Sequence, residues 1–250
     1  MSSNLSMHID RKTFDSPDGE LVVIEDFHLE IEPEHFVSIL GPSGCGKTTM
    51  LRMILGLDTK YTGRITLDGS VVDSPGVDRG IVFQEPRLVP WKTVWANVEF
   101  ALPRAVSSEE DRQFAIKSIL DMVGLTGFES AWPAQLSGGM AQRVALARAL
   151  VSVPRVLLMD EPLAALDLDT RIRMQQEILR IHDLEKTTTV MVTHDIDEAL
   201  FLSDRVIVLS GRPAQIRADL RVDLEGPRVR SSEQFLSLRG EILKIILPEF

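Results

Sequence analysis

The sequence predicts an α/β fold: mostly parallel strands with a ligand site at their carboxyl ends, an antiparallel β layer ahead of them and a helical insertion among them. Three observations predict it. Gly41-Pro42-Ser43-Gly44-Cys45-Gly46-Lys47-Thr48-Thr49 fits the phosphate-loop pattern G-x-x-x-x-G-K-[ST] at every constrained position. Short apolar, β-branched runs precede this loop and recur at 155–162 and 188–193, as strands buried on both faces require. Between the loop and those later runs, residues 94–123 carry helical periodicity.

The phosphate loop has the context its chemistry needs. His35 to Leu40 before it reads as a strand, and Thr48 to Leu55 after it contains no helix breaker. Glycines let the backbone wrap close to phosphates and aim N–H groups at them, and the following helix N-terminus adds partial positive charge. Lys47 would neutralise the β and γ phosphates and the Thr48 hydroxyl would hold Mg²⁺. A glycine-rich turn with an incidental lysine is the bland alternative, and the flanking strand and helix count against it.

Composition bounds the class. The 250 residues are 44% hydrophobic, enough for one large domain or a core with a subdomain. No apolar run approaches the ~18 residues of a membrane span, and Met1-Ser2-Ser3-Asn4 lacks a signal peptide's order. A chain that stays in the cytoplasm is expected. A net charge of −10 argues against sequence-independent nucleic-acid binding. Cys45 is the only cysteine, so no internal disulfide forms. Inside the phosphate loop it is either a target for thiol modification that would block nucleotide or a small residue that fits there.

The elements follow in order. Met7 to Phe14 and Glu20 to Ile31 read as strands around the turn Ser16-Pro17-Asp18-Gly19. Phe14 is either a platform for adenine or a core aromatic, and its residue type favours the core. His8, His28 and His35 show no metal-ligand spacing. Tyr61 to Leu67 and Asp78 to Phe83 are strands, which leaves Gln84 at a strand exit. There its amide can orient a water or complete a Mg²⁺ shell, or merely cap the strand. Pro86, Pro90 and Trp91 mark an irregular link before helices at Val94 to Leu102 and Ser107 to Val123. Trp91 either docks a partner or packs into the helical insertion.

Leu136-Ser137-Gly138-Gly139 opens a run of strong helix formers from Met140 to Leu150. Ser137, Gly138 and Gly139 there make a second anion site, or Ser137 simply caps the helix. Arg155 to Met159 is an apolar run ending in Asp160, Glu161 and Pro162. Successive strand residues point in opposite directions, so one carboxylate can reach Mg²⁺ while the other acts on the attacking water. Asp167 ends a tight link before a helix from Thr170 to Leu184, whose Met174, Ile178 and Ile181 share a core face. Thr188 to Thr193 is a strand ending at His194, which can bond a γ-phosphate or serve as a cap. The helix Ile196 to Leu202 follows, then closing strands Arg205 to Leu209 and Ala214 to Ala218 around a Ser210-Gly211 turn, then an amphipathic tail from Ser231 to Leu247.

Taken together, this order resembles the ATP-binding cassette family from Phe14 to about Ser210. In that family's terms Gly41 to Thr49 is similar to Walker A, Gln84 to the Q-loop, Leu136 to Gln142 to the signature, Val156 to Glu161 to Walker B, Asp167 to the D-loop and His194 to the switch histidine. The resemblance implies a P-loop NTPase (RecA-like) core with an N-terminal antiparallel β layer and an inserted helical subdomain. It implies ATP and Mg²⁺ as cofactors, with Phe14 stacking on adenine, Glu161, His194 and Gln84 serving hydrolysis, and Thr48, Gln84 and Asp160 at the metal. The expected parts are a core from 1–90 and 151–215, a helical part at 91–150 and a tail at 216–250, all in one domain.

Val82-Phe83-Gln84-Glu85 with Leu88-Val89-Pro90-Trp91, and Met140 closing the signature, look like the nitrate, sulfonate and taurine importer ATPases. Pro33-Glu34-His35 and Leu163-Ala164 depart from that subfamily's usual residues, away from the phosphate chemistry. Two anion-binding helix starts but one lysine-bearing loop suggest a head-to-tail homodimer with ATP between the chains. The implied partners are two integral membrane permease subunits and, indirectly, a solute-binding protein, with no nucleic acid, at the cytoplasmic face of the membrane. A cassette ATPase acting on nucleic acid or the ribosome would need a long coiled coil or a second cassette. A kinase would have no use for the signature.

Overall fold

A computed structural model describes residues 3–17, 19–103, 105–106, 108–224 and 228–247. The chain divides into two compact units, one spanning Val77–Thr187 and the other joining the chain through Gly76 to the chain from Thr188 onward.

In the second of these units β1 (Leu5–Ser16), β2 (Gly19–Ile31), β4 (Thr62–Leu67) and β5 (Ser70–Val71) form an antiparallel sheet in the order β2-β1-β4-β5. Leu5, Met7 and Ile9 are buried and alternate with exposed His8 and Asp10, the period-2 pattern of a one-sided sheet. The register of β1 against β4 shifts between Ile9 and Arg11, and beyond that bulge the buried side chain is Lys12, not Arg11. Its ammonium, 2% exposed, meets Asp58 Oδ1 at 2.7 Å and the Lys60 carbonyl at 2.9 Å, and lies 4.4 Å from the Phe14 ring centroid. Phe14 itself is 41% exposed. The core role that its residue type favours is therefore not the one it has. Asp18, in the expected turn, lies outside the described residues.

The same unit holds β3 (Phe36–Leu40), parallel to both β8 (Thr188–Thr193) and β9 (Arg205–Leu209), with β10 (Ile216–Arg221) antiparallel to β9. Every residue of β3 and β8 is buried. Because the three strands run parallel, Gly41, His194 and Ser210 follow them at the same edge of the sheet. The closing strand is Ile216–Arg221, not Ala214 to Ala218. Ala214 instead forms a single parallel bridge to Ile24, so the loop after β9 runs from Ser210 to Gln215. Helices α1 (Lys47–Ile54), α6 (Ile196–Leu202) and α7 (Glu233–Ile246) complete the unit. The tail is helical as its spacing predicts: Phe235 and Ile242 are buried, and Arg239 pairs with Asp197 of α6 at 2.7 Å.

In the Val77–Thr187 unit β6 (Arg79–Val82) runs parallel to β7 (Val156–Asp160). Helices α2 (Val94–Glu99), α3 (Glu109–Met122), α4 (Gly138–Leu150) and α5 (Leu168–Glu185) accompany them. α2 ends at Glu99, short of the expected Leu102, and α3 begins at Glu109 where Ser108 caps it at Asp111 N. The expected start at Ser107 lies outside the described residues. Met174, Ile178 and Ile181 of α5 are 1–3% exposed, the core face that the 3.6-residue period requires.

Candidate functional site

The phosphate loop joins β3 to α1. Its glycines do separate jobs. Gly44 and Gly46 have φ of 77° and 110°, the left-handed region where a side chain is strained. Gly41 leaves little room for one, since a Cβ there would lie 3.0 Å from Cys45 Sγ and 3.1 Å from Leu209 Cβ. Lys47 opens α1, is 6% exposed, and lays its ammonium across the loop to the carbonyls of Gly41 at 2.7 Å and Pro42 at 3.0 Å. Ser43, Gly44 and Thr48 are exposed, and Thr49 and Gly46 are half-buried. Cys45 is 1% exposed, which removes the expectation of an accessible thiol and leaves a small side chain filling space below the loop.

His194 is exposed at the end of β8. Thr193 and Asp195 fix the backbone beyond it: Thr193 Oγ1 bonds the Glu198 carboxylate and accepts from Asp195 N, and Asp195 caps α6 at Glu198 N, 3.0 Å away. His194, Gly41 and Pro42 line one cavity of about 490 Å³, whose far wall includes Ile245 and Ile246 of α7. This unit thus brings the loop and His194 together, with Phe14 on its β layer.

The other unit carries the remaining candidates. Asp160 is the last residue of β7 and Glu161 the first beyond it, both half-buried. Glu161 has φ of 45°, an uncommon conformation for a non-glycine residue and one that concentrates at functional positions. Asp167 caps α5 through Thr170 N at 3.1 Å. The Thr170 backbone and side-chain hydrogen bonds hold its carboxyl below the usual carboxylate range. Ser137 caps α4 through Met140 N at 3.3 Å. Gly138 is open on its Cβ side apart from Leu166 at 3.6 Å, whereas a Cβ on Gly139 would strike the Thr170 methyl of α5.

Gln84 is exposed just after β6. The segment behind it is held by residues that sequence reasoning missed. Gln142 of α4 donates to the Phe83 carbonyl at 3.0 Å. Arg148, near the other end of α4, donates to the carbonyls of Pro86 and Arg87, both at 2.7 Å, and burial lowers its pKa from the ordinary arginine value. Asn97 of α2 is fully buried, accepts from Val89 N at 2.7 Å, and donates to the carbonyls of Val89, Lys92 and Thr93. Trp91, between these anchors, is 75% exposed, so the core-packing alternative for it does not hold. Asn97→Leu keeps the γ-branched shape but takes the side-chain partner from Val89 N and the Lys92 carbonyl, while the Val89 and Thr93 carbonyls keep Lys92 N and Asn97 N. A stability loss of about 2–4 kcal/mol is expected in thermal unfolding, with faster amide exchange between 85 and 93.

Comparison with known proteins decides the family. The profile described as ABC transporter matches residues 24–164. The aliphatic sulfonates import ATP-binding protein SsuB 1 of Xanthomonas axonopodis pv. citri is 48% identical over 93% of this chain and 91% of its own. The chain belongs to the ABC transporter family. The nitrate import ATP-binding protein NrtD of Synechocystis is 42% identical over 98% of this chain and 91% of its own. Among solved structures, a dimeric ATP-binding cassette in a post-hydrolysis state with ADP and Pi superposes with a TM-score of 0.76 at 32% identity, covering 88% of this chain and 99% of that one. The P-loop NTPase fold and the ATPase activity are those of ABC cassettes.

Proposed function

We propose that this ABC ATPase powers uptake of a small solute such as nitrate, a sulfonate or taurine through separate membrane subunits. It works as a homodimer at the cytoplasmic face of the membrane, against two integral permease subunits and, through them, a solute-binding protein. The names of its import relatives support the direction and solute class. No helix among the described residues is long and apolar enough to cross a membrane, which fits a peripheral subunit.

In this reading the N–H groups and lysine of Gly41 to Thr49 bind the phosphates and Phe14 stacks on adenine. From a second chain, Ser137, Gly138 and Gly139 meet the γ-phosphate. Glu161 takes the proton of the attacking water, His194 and Gln84 bond that water or the γ-phosphate, and Asp167 orients the neighbouring chain. Thr48, Gln84 and Asp160 are hard oxygen donors that suit Mg²⁺, which supplies charge neutralisation at the phosphates. Among the described residues no cluster of three His, Cys, Asp or Glu could hold a metal alone. That suits an ion taken by one or two protein oxygens plus phosphate and water.

Trp91 carries the transport reading. Its indole stands 75% exposed on a segment pinned from both sides by Asn97 and Arg148. Next to that segment a cavity of about 330 Å³ is lined by Val77, Phe83, Phe100, Ala101 and Arg148; Val77 and Phe100 are 65% and 70% exposed. An apolar, aromatic surface of this kind on a rigid support suits an amphipathic helix from a membrane subunit. Trp91→Ala is expected to keep the melting temperature and basal ATPase activity of the purified chain while transport by the assembled complex collapses. Transport falling only in step with the folded fraction would remove the docking role.

A further inference from the structure

The loop between β9 and β10 touches the phosphate loop with a cation that the motif does not include. Ser210 and Gln215 close the β9–β10 loop, with Ser210 N donating to Gln215 O at 2.9 Å and Gln215 N to Ser210 Oγ at 3.1 Å. Ala214 N donates to the Val23 carbonyl at 2.8 Å, which fastens this loop to β2. Val23 and Arg212, both placed by this fastening, then bracket the phosphate loop. A Cβ on Gly46 would lie 2.8 Å from Val23 Cγ1, and one on Gly44 would lie 2.7 Å from Arg212 Nη2.

Arg212 is exposed, and among the described residues no carboxylate pairs with it. Its guanidinium fills the space a side chain at Gly44 would need, beside a backbone held at φ 77°. Lys47 bonds the loop at Gly41 and Pro42, so the two cations reach different parts of it. In a chain of net charge −10, an unpaired, permanently charged group at this point favours a polyanion in the loop.

We propose that Arg212 is a positioning residue for the nucleotide, bracing the loop at Gly44 and adding a positive charge next to its phosphate-binding N–H groups. The inference rests on the reading of Gly41 to Thr49 as the nucleotide site. It predicts a residue that tightens nucleotide binding by charge while taking no part in proton transfer.

The test uses the purified full-length chain and a fluorescent ATP analogue, with affinity measured at low and high salt. Arg212→Ala is expected to weaken binding by roughly tenfold at low salt, as removing a partly screened charge a few ångströms from a phosphate does. The loss shrinks at high salt. Arg212→Lys regains most of the affinity and Arg212→Gln does not. In hydrolysis the KM for ATP rises by a similar factor while kcat changes less than twofold, a loss of binding shared by ground and transition states. Wild-type affinity of Arg212→Ala at low salt overturns the proposal. If Arg212→Ala melts several degrees early, the comparison of Arg212→Gln with Arg212→Lys decides, and equal affinities overturn it. Lys47→Ala is the reference. Should it also bind as tightly as wild type, the phosphate-loop reading fails; should it alone lose binding, only the role of Arg212 fails.

Discussion

Glu161→Gln is expected to lower steady-state ATP hydrolysis by about 10²–10⁴, the usual worth of a general base, while ATP still binds. The substitution changes one atom group and no volume, so the half-buried position and the φ of 45° are left as they are. What is lost is the ability to accept a proton. If ATP holds two chains together and hydrolysis parts them, the variant accumulates as an ATP-bound dimer, visible as an earlier-eluting species in size-exclusion chromatography. Asp160, the last residue of β7, is assigned to Mg²⁺ in the proposed reading and not to the attacking water. Near-normal turnover by the variant sinks the assignment of Glu161, and unchanged thermal unfolding shows that a fall in turnover is chemical.

The parts of the site legible in sequence are those whose physics is local. A phosphate loop needs its glycines and lysine at fixed spacing, and β3 and β8, buried on both faces, announce themselves as runs of mainly apolar or β-branched residues. The cap residues Ser137, Asp167 and Asp195 act within three residues of themselves. What sequence cannot carry is pairing at long range. Gln142 reaches a carbonyl 59 residues away and Arg148 one 62 residues away, and neither leaves a mark on its own helix beyond ordinary helix-forming character. The bulge between Ile9 and Arg11 breaks the alternation of β1, which hides the burial of Lys12 from a period-2 reading. The error at β10 has a similar cause: Ala214 is buried and extended but bridges Ile24, so its surroundings belong to a loop.

Gly138→Asp is expected to leave nucleotide binding to the single chain intact and to abolish ATP-driven dimerisation. The site tolerates the side chain, because a Cβ at Gly138 meets only Leu166 at 3.6 Å, where Gly139 is closed by Thr170. A carboxylate in the first turn of α4 even favours the isolated helix through its dipole, so the chain itself keeps its melting temperature. Against the γ-phosphate of an ATP held by a second chain, the same charge repels. At a few ångströms that amounts to about 1–4 kcal/mol per site, and a symmetric dimer has two such sites. Lys47→Ala fails for the opposite reason, by losing the cation that crosses the phosphate loop. Mixing the two variants separates a head-to-tail dimer from other arrangements. One composite site then pairs the intact loop of the Gly138→Asp chain with the intact signature of the Lys47→Ala chain, and the other site carries both defects. ATP-driven dimer is expected to return in the mixture, up to the level that one sound site supports, and in neither variant alone. If no mixing ratio restores it, each nucleotide is not shared between a loop and a signature from different chains.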